Sequence, residues 1–224
     1  MLRRRFAALF LGGFSVLIPV AALHHPVVDT RSPDVLLSEM ARLSANDRAF
    51  HAFMIGLVIA LFFALAAYAT DALNRRPPNV AALMIFATGC GALIGAALID
   101  GFFLPAFGEH YVGRPMPIAQ QALPVLLAAG IAIQVFSKFG LLAYAAAGFA
   151  WSLDISLSRY PVLGVLGALS AVLEAALILF NGALTAGSLA EVFAAQCVWC
   201  LIIAYRMDQQ RRTTLNERDR ATRT

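Results

Sequence analysis

Five ionisable side chains interrupt long apolar runs of this chain: His51, Asp100, Lys138, Glu174 and Glu191. A charge in such a run is costly, so it pairs with a partner, faces a cavity or binds something. Histidine and carboxylates together could hold a divalent metal around a water, as a metal-dependent hydrolase or oxidase requires. The same groups could bind a cation, carry a proton or hold a small polar ligand. A plainer role is to cap helices near an interface or to pair with Arg48 or Arg114. No HExxH, HxxxH or ExxH spacing is present to fix a metal locally.

Lys138 is the only lysine and follows Gln134 by one helical turn. It lies too deep in its run to snorkel easily, so a partner is expected, Glu174 and Asp100 being the candidates. A buried ion pair, a ligand contact and proton coupling all fit it. Cys197-Val198-Trp199-Cys200 has thiol-redox spacing but no thioredoxin-like strand context, and is read, with Cys90, as ordinary buried cysteine.

The elements that position these groups follow from composition. The 224 residues are 60% hydrophobic and 13% charged, against about 45–50% and 25% in soluble domains. The apolar residues form continuous blocks about 20 residues long, enough to cross about 30 Å of hydrocarbon as helix and too continuous for barrel strands. An all-α integral membrane protein with six spans is predicted, near 6–23, 50–73, 80–104, 123–151, 161–180 and 189–205. Residues 1–205 are expected to form one transmembrane domain and 206–224 a polar cytoplasmic tail. The lipid bilayer is therefore the first partner. The basic residues flank apolar blocks, which argues against nucleic acid.

Charge between the spans gives an orientation. Arg3, Arg4, Arg5, Arg75, Arg76, Arg159 and the six tail arginines from Arg206 to Arg223 fall on one side, twelve of the seventeen cations; Arg31, Arg42, Arg48 and Arg114 fall on the other. The positive-inside rule then predicts a bacterial inner-membrane protein with both termini cytoplasmic. The first run also has the form of a secretory signal peptide, with Arg3–Arg5 before it and Ala21 and Ala22 at its end; its removal would leave five spans in the same orientation. In the first periplasmic loop Ser32-Pro33-Asp34 has the form of a helix start, and Val35, Leu36, Met40 and Leu43 recur at helical spacing. A short amphipathic helix on the membrane surface is expected there.

Helix rise then places His51, Asp100, Glu174 and Glu191 within about 10 Å of the outer surface. His24, His25, Glu109 and His110 belong to the same side. Gly164, Gly167, Ala171, Glu174, Ile178 and Asn181 share one helix face, as do Gly89, Ala92, Ala96 and Asp100. Small residues permit close helix approach, so both acids are expected to point inward. Gly91 and Gly95 form a GxxxG pair of low specificity.

These readings converge on a periplasm-facing polar cavity formed by spans two, three, five and six. It is expected to bind a cation, proton or small polar ligand through His51, Asp100, Glu174, Glu191, Lys138 and Gln134. One alternative is a metal-dependent intramembrane enzyme with His51, Asp100, Glu174 and Glu191 ligating a divalent metal. Another is a non-catalytic membrane subunit, either homo-oligomeric or assembled with a membrane partner.

Overall fold

The computed structural model describes residues 2–24, 32–71, 74–158 and 160–221. His25, Arg31, Arg159 and Arg223, which entered the charge and histidine arguments, lie outside them. The elements are α1 (Leu2–Leu23), α2 (Pro33–Ala69), α3 (Pro77–Leu98), a π turn (Ile99–Phe103), α4 (Leu104–Tyr111), α5 (Met116–Ser156), α6 (Pro161–Phe180) and α7 (Ala186–Ala221). Among the described residues there is no strand. Six helical stretches among the described residues are long and apolar enough to cross a membrane, so the chain is a multi-pass membrane protein with lipid as its solvent.

The helices form a closed ring in which α1, α2, α3, α5, α6 and α7 each pack against the next, and α7 returns to α1. Small residues set the closest approaches. A Cβ on Gly89 would lie 2.7 Å from the Gly140 carbonyl oxygen, so α3 and α5 cross nearly backbone to backbone. The two stripes read from the sequence do face inward: Gly164, Gly167, Ala171, Glu174 and Ile178 are buried on α6, and Gly89, Ala92 and Ala96 on α3. Gly91 and Gly95 instead meet nothing within 4 Å. The first helix belongs to the ring, with Leu11, Phe14 and Ile18 fully buried and the Ser15 hydroxyl 3.5 Å from the Cys197 carbonyl of α7.

Inside the ring, Tyr68, Phe86, Tyr144, Trp151 and Trp199 make an aromatic cluster from four helices. Phe86 and Tyr144 stack with centroids 4.0 Å apart, and Trp151 and Trp199 lie 5.8 and 6.2 Å from Phe86. Such contacts add to the burial term that large rings already contribute.

The expected helix at 33–43 is present but is not separate. It runs unbroken into the second span as the 37-residue α2, about 55 Å long at 1.5 Å per residue. Ser32 is extended, Pro33 is the first helical residue, and the Leu36 amide bonds to the Ser32 carbonyl, so the start signal was read correctly. The apolar residues of this segment pack on other helices: Leu37 joins Ala122 of α5 and Phe107 and Tyr111 of α4 in a second small core. Three helical ends therefore extend the bundle at the α4 end. Arg48 and Glu109 link α2 to α4 at 2.6 Å; solvent screening of so exposed a pair makes it a minor contribution to stability.

Candidate functional site

His51 is the centre of the polar group at the α4 end. It lies one turn after Asp47 on α2, so both side chains share a helix face. The Nδ1 of His51 donates to the Asp47 backbone carbonyl at 2.9 Å, and the Asp47 Oδ1 lies 3.0 Å from the same nitrogen. With one proton on Nδ1, the carboxylate contact is electrostatic rather than a second hydrogen bond. On the other side Nε2 is 3.3 Å from the Asp100 Oδ2. That contact is attractive only with a proton between the two groups.

The backbone explains why Asp100 can reach the ring. In a regular α-helix Pro105 would clash with the carbonyl four residues earlier, that of Gly101. The chain widens into the π turn Ile99–Phe103 at that point, and Asp100 projects from it. A Cβ at Gly101 would overlap the His51 ring, so glycine there makes the space that the imidazole fills. His51 is only 4% exposed as a result.

The three residues line a cavity of about 530 Å³, a size usual for small-molecule sites. Its walls come from α1, α2, α3, the π turn, α4, α5 and α7. This corrects the expected wall set: α1 and the fourth span, α5, take part, and among the described residues the fifth span, α6, contributes none to the lining. The lining is also mainly apolar rather than polar, with Gln134, Ser137 and Thr185 as further polar members. Tyr144 belongs to both the cavity wall and the aromatic cluster, so the stacked rings floor the cavity.

No protein-family model, curated protein or solved structure matches the chain. The site therefore has to be judged on its own chemistry.

The expected site residues divide. His51 and Asp100 come together. Glu174 is fully buried on α6, where its Oε2 accepts from Trp199 Nε1 at 3.2 Å and its Oε1 has no hydrogen-bond partner among the described residues. Glu191 is exposed on α7. Among the described residues no three His, Cys, Asp or Glu gather closely enough to hold a metal, so the four-ligand metal centre is not formed. Glu174 lies six residues before the end of α6, about 9 Å deeper than the Lys138 level, against Trp199 of the aromatic cluster, and Glu191 is exposed.

Lys138 and Gln134 act on a loop. Lys138 Nζ donates to the carbonyls of Asn181 and Gly182, both at 2.8 Å, rather than pairing with Glu174 or Asp100. Gln134 donates to the Leu184 carbonyl at 3.0 Å and accepts from the Leu184 amide at 2.8 Å. The register explains this: Phe180 lies nineteen positions after Pro161 on α6, and nineteen positions back from Ser156 on α5 is Ser137, beside Lys138. The ammonium is thus level with the carbonyl end of α6, where a cation is favourable.

Cys90, Cys197 and Cys200 are buried and unpaired as thiols, with Cys90 Sγ 3.1 Å from the Tyr144 hydroxyl. The sequence reading missed Asp47, which it assigned to a loop, although its four-residue spacing from His51 was a usable signal. It also passed over the opposite end of the ring. There Asp154 accepts from Arg76 at 3.1 Å and Asn79 at 3.3 Å, with Arg206 3.9 Å away. Asn74 and Gln210 exchange amide hydrogen bonds. Arg206 and Met207 are buried, so the first residues assigned to the polar tail pack against the bundle.

Proposed function

We infer that the cavity at the α4 end binds a cation, a proton or a small polar ligand in a bacterial inner membrane, and that it opens to the periplasm. The observation that carries this reading is His51 held between Asp47 and Asp100 on the wall of a cavity of about 530 Å³. Burying a histidine with two carboxylates is expensive for a purely structural contact, and a cavity beside it gives those charges something to act on. The excess of arginine at the opposite end supports the orientation.

The aromatic floor supports binding from one side over passage through the ring. A ligand that binds only the folded protein raises its unfolding temperature by mass action. Purified protein in nanodiscs is therefore heated with sodium, potassium, magnesium, ammonium or methylammonium salts, beside Asp100→Asn, which keeps the side-chain shape. At least one cation is expected to stabilise the wild type and to lose its effect in the variant. Identical responses in both proteins would overturn the reading.

A further inference from the structure

We propose that the ligand is an organic cation with an apolar body, such as a tertiary or quaternary amine bearing an aromatic or alkyl group. This deepens the reading above and rests on it.

Charge sets the first half. Asp47 and Asp100 flank His51, whose imidazole carries at most one positive charge. With both carboxylates ionised, the cluster is net negative whichever form the ring takes. No lysine or arginine is among the described residues that line the cavity. An anionic ligand would meet repulsion with no lysine or arginine on the described wall to offset it, while a cation would meet an attractive wall in a site of low dielectric.

Shape and chemistry set the second half. Besides the acid cluster the wall is made largely by apolar side chains such as Phe14, Leu93, Leu189 and Phe193. An inorganic ion would occupy a small part of about 530 Å³ and leave that wall uncovered. An apolar group attached to the cation would cover it, and each buried methylene adds to affinity. The phenylalanines on the wall also suit a quaternary ammonium, which aromatic faces attract. Ser137 and Thr185 add two hydroxyls on the α5 and α7 sides without changing the sign of the field.

The test uses three matched probes on the whole protein in nanodiscs, read by ligand-dependent thermal unfolding and by equilibrium binding. Benzyltrimethylammonium carries both halves, tetramethylammonium only the charge, and neopentylbenzene, the carbon isostere, only the apolar body. Benzyltrimethylammonium is expected to bind about tenfold or more tightly than either of the others. The double variant D47N/D100N should lose that preference over neopentylbenzene. Leu189→Trp, which enlarges a side chain of the apolar wall on α7, an element that carries neither acid, should weaken benzyltrimethylammonium and spare tetramethylammonium.

Equal binding of benzyltrimethylammonium and tetramethylammonium would overturn this inference and leave the cation-site reading standing. Equal binding of benzyltrimethylammonium and neopentylbenzene, or no binding of any probe to the wild type, would overturn the inference and count against a cationic ligand altogether.

Discussion

At the scale of single residues, the site depends on an absence of atoms as much as on charges. Gly101 gives His51 its room, and Asp100 approaches only because the π turn carries it there. Gly101→Ala forces either the ring or the helix to move. It is expected to destabilise the protein by about 1–3 kcal/mol, as overpacking in a tight site does, and to abolish the Asp100-dependent response to cations. Normal stability together with an intact response would show that the close packing of Gly101 on His51 is unimportant.

Glu174 offers a second residue-scale test, because Trp199 is the donor to its buried carboxyl. Trp199→Phe should cost about 1–3 kcal/mol by stranding that group. Glu174→Leu added to it should return part of the loss, because the stranded carboxyl is gone. A double-mutant cycle in unfolding free energy measures the coupling, and strict additivity would show that the contact contributes nothing.

At the scale of elements, the α6–α7 connection is fastened by two side chains of α5. Gln134 pairs with both backbone groups of Leu184, and Lys138 holds the carbonyls just beyond α6. Gln134→Leu should speed deuterium uptake at the Leu184 amide, and Lys138→Met should lower stability by about 1–3 kcal/mol through lost charged hydrogen bonds. Unchanged exchange at Leu184 would mean that the loop is held from elsewhere. Because Leu184 and Thr185 also line the cavity, loosening this clasp should weaken any ligand that reaches that wall.

At the scale of the whole molecule, the ring has an extended end that carries α4 and an opposite end rich in arginine. Ala45 is exposed on the first and Thr213 on the second. With both termini cytoplasmic, Ala45→Cys should react with a membrane-impermeant maleimide in intact spheroplasts, and Thr213→Cys only after permeabilisation. The native cysteines are buried, which keeps the background low. The reverse pattern would invert the proposed orientation and turn the cavity toward the cytoplasm.

The sequence alone determined the solvent, the number of long apolar helices and which faces of α3 and α6 turn inward. Those properties are written in composition and in three- and four-residue spacing, and each is local to one helix. It also singled out His51 and Asp100, because a charge in an apolar run is visible without any fold. The partners of those charges were decided by tertiary structure. Asp47 joins the pair because α2 continues as helix through residues read as loop, and the π turn aims Asp100 at a ring 49 positions earlier in the chain. Spacing along one helix could be counted, but how far each helix is shifted and rotated against its neighbours could not. That placement is what put Glu174 on Trp199, left Glu191 exposed and brought Lys138 to the end of α6. It is fixed by the fit of small and large side chains around the whole ring, a property that no single helix contains.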